Sequence, residues 1–252
     1  MTRAIPWLSS NSSTFPELSS ALAEPNGLLA FGDDLSARRI IQAYQLGIFP
    51  WFSDGEPVMW WSPDPRAIIN ISELKINKTL HKVLKRETFT VTLNKSFEQV
   101  IEQCADAPFR REETWIVDPM LAAYKKLHQQ GQAHSIEVWQ DDKLVGGLYG
   151  VAVNGYFSGE SMFYQQSNAS KVALVYLARL LKSIDVELID CQMLNPFLAS
   201  MGCIEISRED FITQQSTAKN IIPPEGFWQP QLLTLPWLVK LRASFPITSN
   251  LI

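Results

Sequence analysis

Three apolar runs joined by tight-turn dipeptides constrain this chain more than any other feature. Ser135 to Gln140, Leu144 to Val153 and Tyr156 to Tyr164 read as strands, linked by Asp141-Asp142 and Asn154-Gly155. A two-residue link demands positive φ at its centre, and Asn-Gly tolerates that best. The three runs therefore predict an antiparallel meander. A polar loop, Gln165 to Ser170, leads into an apolar helix from Lys171 to about Ser183. A strand over Leu188 to Cys191, a short helix ending at Gly202, a strand over Ile204 to Ser207 and a further helix complete the unit.

Upstream, the chain is rich in aromatics, proline and glycine. One helix is clear there: Ser36 caps it, and it runs from Ala37 to Leu46 before Gly47 stops it. Pro63 and Pro65 bracket Asp64 and stiffen the chain, which marks a boundary. Beyond it the pattern predicts a short strand near Leu74, then a basic helix capped by Asn77 and running to about Arg86. A strand over Thr88 to Leu93 and a helix capped by Ser96 and ending near Ala105 come next. Asp118-Pro119 serves as N-cap and first turn of a helix closed by Gly131. The expected class is α+β. A small N-terminal α/β domain over residues 1–66 precedes a main domain over 67–228 with a mixed, mostly antiparallel sheet, and residues 229–252 form a C-terminal extension. Meander, helix, strand is the element order of the GNAT acyltransferases, a likeness of scaffold that carries no function by itself.

The segment Glu187 to Asn195 holds the most telling chemistry. Its apolar run ends in an acid and an amide two positions apart, Asp190 and Gln192, which strand alternation sends to one side, with Cys191 on the other. Burying a carboxylate is costly unless it is paired or used. The pair is either the floor of a reaction site or a capping arrangement at a strand end. Glu160 raises the same question inside the apolar run Phe157 to Phe163. Alternation puts Phe157, Gly159, Ser161 and Phe163 on one face, with Ser158, Glu160 and Met162 on the other. Glu160 either pairs with a basic residue or binds a basic substrate. No local signature ties Cys191 to His81, His128 or His134, so nucleophilic catalysis by a thiol is disfavoured.

Other features narrow the class. Lys75, Lys78, Lys82, Lys85 and Arg86 recur at helical spacing, either as a solvated face or as a ridge for phosphates. The formal net charge of −4 argues against a chain that merely coats nucleic acid but leaves room for such a patch. Trp51, Trp60, Trp61 and Trp115 lie in or beside expected loops, where they either brace loops or stack a base. The turn from Tyr164 to Lys171 has no glycine, so close backbone approach to the pyrophosphate of coenzyme A is not expected. Cys104, Cys191 and Cys203 are odd in number and lack metal-ligand spacing, which suggests reduced thiols in the cytoplasm. Met1 to Ser10 lacks the apolar run of a signal peptide, and no apolar run is long enough to span a membrane.

Taken together, several stretches resemble the bacterial leucyl/phenylalanyl-tRNA–protein transferases. They are Glu24 to Ala30, Gly47 to Ser53, Trp60 to Arg66, His134 to Trp139, Gly159 to Phe163, Asn168 to Lys171 and Leu188 to Gln192, spread over roughly residues 24–228. The resemblance implies an enzyme that moves Leu or Phe, and less well Met, from aminoacyl-tRNA to an N-terminal Arg or Lys of a protein, creating an N-degron. It implies no metal and no coenzyme A. One departure is Leu148, where the family pattern has Met.

By the same resemblance, Asp190 orients Gln192, whose carbonyl oxygen accepts a hydrogen bond from the attacking amine. An aminoacyl ester is already activated, so no covalent enzyme intermediate is needed. A rival role has Asp190 and Glu160 binding the acceptor's basic side chain. Leu148, Phe157, Met162, Leu174, Leu177 and Ile189 are expected to form the donor side-chain pocket, with Trp51, Trp115 and Asn195 near the terminal adenosine. Lys78, Lys82, Lys85 and Arg86 would hold acceptor-stem phosphates. An acetyl-CoA-dependent N-acetyltransferase and a non-catalytic tRNA-binding protein are the competing classes.

Overall fold

The computed structural model describes residues 4–10, 12, 14–106 and 116–234. The first sheet comprises β1 (Trp7–Leu8), β2 (Leu28–Gly32), β3 (Phe49–Pro50) and β4 (Val58–Trp61), in the order β1-β2-β4-β3. Between β2 and β3 runs α1 (Ala37–Gln45), whose N-terminus is closed by the Ser36 hydroxyl accepting from Arg39 N–H. These short strands were not expected from sequence, because their aromatic and proline content masks any period-two pattern.

The chain then enters a larger, eight-stranded sheet. Its first strand is β5 (Arg66–Asn70), directly after Pro65. Leu74, expected near a strand, instead closes a single 3-10 turn over Ile71–Glu73. The remaining elements are α2 (Lys78–Lys85), β6 (Thr90–Leu93), α3 (Phe97–Ala105), α4 (Asp118–Gln129), β7 (Ala133–Gln140), β8 (Lys143–Val153) and β9 (Tyr156–Tyr164), then α5 (Ala169–Lys182), β10 (Leu188–Gln192), α6 (Pro196–Ser200), β11 (Ile204–Ile206), α7 (Arg208–Lys219) and β12 (Gln231–Leu233). Strand order is β11-β5-β10-β9-β8-β7-β6-β12. The meander appears as β7, β8 and β9, its turns at Asp141-Asp142 and Asn154 with positive φ.

Two details differ from expectation. Asp118 is the first residue of α4 and Val117 the N-cap. Asn168 precedes α5 in the left-handed region and makes no side-chain cap, and the helix opens at Ala169 instead of Lys171. Within the expected C-terminal extension, β12 pairs antiparallel with β6. Residues 235–252 lie outside the described residues.

Apolar side chains pack on both faces of the large sheet. On one face α5 lays Leu174, Leu177 and Leu181 against Ile136, Leu148 and Ile189, joined by Leu80 and Leu84 of α2. On the other, α3, α4 and α7 meet the small sheet and α1 through Phe97, Tyr124, Phe211, Ile40 and Trp60. Each fully buried large apolar side chain stabilises the fold by roughly 1.5–3 kcal/mol.

Candidate active site

Two bulges on neighbouring strands build the site. In β9, Tyr149 faces Ser161 while Gly150 faces Gly159, which leaves Glu160 as the extra residue. A bulge reverses the inside–outside pattern beyond it. Phe157 and Phe163, expected on one face, accordingly lie in opposite cores, and Met162 packs on the Phe157 side. Gly150 makes room for this: a Cβ there would meet the Ser158 carbonyl oxygen at 2.2 Å and the Phe157 ring at 2.5 Å. In β10, Asp190 pairs with Ile68 and Gln192 with the adjacent Ala67, so Cys191 is extra and Gln192 adopts φ +62°. β10 also runs parallel to β9, with Asp190 in register with Ser158.

Asp190 is fully buried and fully engaged. Arg66 donates Nε–H to Oδ1 at 2.8 Å and Nη2–H to Oδ2 at 2.7 Å, a bidentate pair with neither side chain exposed. Tyr156 and Ser158 hydroxyls donate to Oδ2 at 2.6 and 3.0 Å, and the Gln192 backbone N–H donates to Oδ1 at 3.0 Å. Arg66 in turn gives Nη1–H to the Gly47 carbonyl at 3.1 Å and lies between the rings of Phe49 and Phe211 at 4.9 and 4.4 Å. Burial alone would raise the Asp190 pKa, but the charge and hydrogen bonds of Arg66 more than offset it and hold it below the usual value. Burial likewise works against the Arg66 charge, and Asp190 reverses the sign.

Glu160 is half-buried. Tyr124 donates to its Oε2 at 2.9 Å, and the Gln192 Nε2–H donates to its Oε1 at 2.8 Å. The same Gln192 nitrogen lies 3.3 Å from Ser158 Oγ. Burial pushes the Glu160 pKa up to about 7; Tyr44 and Tyr124 pull it down, while the Asp190 charge pushes it further up. A carboxyl poised at neutrality can both accept and release a proton.

Glu160 and Gln192 border a cavity of about 630 Å³. Leu148, Met162, Leu174, Leu177 and Ile189 line it as expected from sequence, as do Trp51 and Asn195. Trp51 stands at the rim with its ring centroid 5.6 Å from that of Trp61. Asn195 also caps α6, its Oδ1 accepting from Leu198 N–H at 2.8 Å. Phe157 shares a core with Met162 but does not line the cavity; its ring lies against Trp228, centroids 5.9 Å apart. Asp190 is absent from the lining as well, and what it holds of Gln192 is the backbone N–H, not the carboxamide. Trp115 lies outside the described residues.

Comparison with known proteins places the chain. A family profile described as leucyl/phenylalanyl-tRNA protein transferase matches residues 68–216, and a second, for the N-terminal domain of that transferase, matches residues 33–64. The chain belongs to the leucyl/phenylalanyl-tRNA–protein transferase family. A relative of that name from Colwellia psychrerythraea is 60% identical over 233 residues, covering 90% of this chain and 97% of its own. Another, from Shewanella denitrificans, is 50% identical over 221 residues, covering 88% and 94%. A solved C-terminal domain from Agrobacterium fabrum overlaps 81% of this chain and 65% of its own, at 11% identity and a TM-score of 0.37, too slight a likeness to carry an argument.

Within this transferase fold, the basic residues of α2 stand apart from the cavity lining. Lys78, Lys82, Lys85 and Arg86 are all exposed, while Leu80 and Leu84 anchor the helix. Arg66, Tyr156, Ser158, Tyr44 and Tyr124 were not foreseen as site residues. For Arg66 the available signal was a lone charge at the head of the apolar run Ala67-Ile68-Ile69; for the tyrosines there was none. Among the described residues, no group of three or more potential ligands could hold a metal ion, and no helix is long and apolar enough to cross a membrane.

Proposed function

We propose that this chain moves Leu or Phe, and less well Met, from aminoacyl-tRNA to the α-amine of an N-terminal Arg or Lys, creating an N-degron, by direct attack without an enzyme-bound intermediate. The observation that carries the reading is an apolar slot with Glu160 and Gln192 at its polar edge. Leu148, Met162, Leu174, Leu177 and Ile189 would receive the donor side chain. A slot of this kind discriminates by only about 1–3 kcal/mol per methylene, which is why Met is tolerated.

The roles then follow from the hydrogen bonds. Gln192 turns its NH2 toward Glu160 and Ser158, so its carbonyl oxygen is the end left to receive the N–H of the incoming amine. Glu160 accepts a proton from the amine as it attacks the ester carbonyl and returns it to the departing tRNA oxygen, which leaves as a hydroxyl. The demand is small, since an α-amine has a pKa near 8 and its deprotonation at pH 7 costs roughly 1 kcal/mol. Asp190, with Arg66, Tyr156, Ser158 and Gln192 N–H around it, has no oxygen to offer a guanidinium and acts by holding the bulge. Trp51 and Asn195 would flank the terminal adenosine, and Lys78, Lys82, Lys85 and Arg86 the acceptor-stem phosphates.

We also read the larger sheet as GNAT-like, supported by two parallel strands, β9 and β10, in register at Asp190 and Ser158 and joined by α5. The proposed division is a small domain over 1–66 and a catalytic domain over 67–228, in the cytoplasm where aminoacyl-tRNA is made. An acetyl-CoA enzyme is disfavoured by the glycine-free turn before α5. The deciding experiment mixes the protein with leucyl-tRNA and a short peptide beginning with Arg, and weighs the product. A gain of one leucine residue is expected; no gain with leucyl-tRNA, or an acetyl group gained from acetyl-CoA, overturns the proposal.

A further inference from the structure

We infer that Tyr124 and Tyr44 are positioning residues of this site, two phenols in series that fix the orientation of Glu160 and carry the influence of the N-terminal region into the reaction. The inference takes its catalytic meaning from the reading of Glu160 as proton acceptor.

The geometry has a direction. Tyr124, on α4, lies with its hydroxyl 2.9 Å from Glu160 Oε2 and 2.6 Å from the hydroxyl of Tyr44, on α1. A phenol has one proton, and an ionised carboxylate only accepts. When Glu160 is charged, Tyr124 donates to it, and the Tyr124 oxygen is then the acceptor for Tyr44. Hydrogen bonds in series polarise one another, so the second phenol strengthens the first. Both tyrosines are fully buried, where an idle hydroxyl is costly. Neither belongs to the strands that carry Glu160 and Gln192, and neither lines the cavity. They act on substrate only through the carboxylate. The chain leaves Glu160 Oε1 to the Gln192 amide at 2.8 Å, so one carboxylate orientation satisfies three elements at once.

Among the described residues, the groups that face Glu160 come from five elements. Tyr124 comes from α4 and Tyr44 from α1; Ser158, 3.4 Å away, is on β9; Asp190 and Gln192 are on β10; Tyr149 of β8 stands edge-on to Tyr124 with ring centroids 5.6 Å apart. Arg66 is bound to Asp190. Loss of either phenol therefore leaves the carboxylate with less to stabilise its charge and nothing new to replace it.

The experiment uses the full-length protein with Tyr124→Phe and, separately, Tyr44→Phe, each of which keeps the ring and removes one oxygen. Titration of Glu160 is followed by NMR of 13C-labelled glutamate, with Glu160→Gln to assign the signal. The rate at saturating acceptor is measured over pH 5.5–9.5. In both variants the Glu160 titration is expected to move to higher pH, by about one unit for Tyr124→Phe, as loss of a hydrogen bond to a charged group implies. The acid limb of the rate profile moves with it, so that the rate falls about tenfold near pH 6 and is nearly unchanged near pH 9. The acceptor's own amine is common to all three proteins and cancels in the comparison. A Glu160 titration that stays where it is in both variants overturns the inference, as does a rate lowered equally at every pH. A full rate for Glu160→Gln would instead sink the proton-acceptor reading, while leaving the NMR result to judge the phenol chain on its own.

Discussion

Asp190 and Glu160 sit on neighbouring strands and both approach the hydroxyl of Ser158, yet the fold treats their charges in opposite ways. Asp190 faces a guanidinium, two hydroxyls and a backbone N–H, and keeps its charge because every lone pair is answered. Glu160 borders the cavity with phenols and an amide but, among the described residues, no cation in contact, and its pKa rises to about 7. The lesson is that a saturated carboxylate belongs to the architecture, and an under-compensated one is available for chemistry.

The largest expected effect breaks the saturated side. Arg66→Met leaves Asp190 buried and unpaired, and should cost about 3–5 kcal/mol in urea unfolding. Replacing both by apolar residues, Arg66→Met with Asp190→Leu, should recover much of that loss, since the pair itself is of modest net value. A single variant as stable as the wild type would mean that Asp190 is not held as described.

Glu160→Gln sharpens the other side. Turnover at saturating substrates should fall by about 10²–10⁴-fold, the usual contribution of a general base, with little change in thermal midpoint. A large fall in stability with turnover intact would exchange the roles of the two acids.

The two acids also predict opposite dependence of stability on pH. The folded-state pKa of Asp190 lies below its ordinary value of 3.8, so its contribution is present above that pH and is lost as pH falls through the folded value. The Glu160 value is raised from 4.5 to about 7, so its contribution is complete below 4.5 and is lost as pH climbs through 7. Unfolding measured at intervals over pH 4–8 should show the difference between wild type and Glu160→Gln declining across that window. A flat difference would place Glu160 among the saturated groups.

The smallest effect on stability is expected where charge has neither role. Lys82→Ala with Arg86→Ala, on exposed α2, should leave unfolding nearly unchanged. The same variant should flatten the salt dependence of tRNA binding, by about 0.7–0.9 in log–log slope for each phosphate no longer neutralised. An unchanged slope would show that this face is merely solvated.

Much of this was legible in one dimension. Turn dipeptides, caps and period-two runs marked the meander, α5, β10 and the basic helix, because such signals depend only on residues a few positions apart. The apolar slot was legible for the same reason: Leu174 and Leu177 share a helix face, and Met162 and Ile189 sit in local motifs. Phe157 does not reach the slot because its ring is taken up by Trp228, 71 residues further along the chain. The bulge at Glu160 is set against Gly150 on the neighbouring strand, which is not local to the run, and the Phe157 ring fills the space where a Cβ of residue 150 would lie.

The sequence by itself determined that an acid and an amide would end an apolar strand, that a second acid would interrupt another, and that no glycine cradle precedes the long helix. Tertiary structure alone decided which acid is spent and which is free. Arg66 reaches Asp190 across 124 residues, and Tyr44 reaches Tyr124 across 80. The electrostatics of a buried carboxylate depend on what stands within a few ångströms of it, and those neighbours come from strands and helices far apart along the chain.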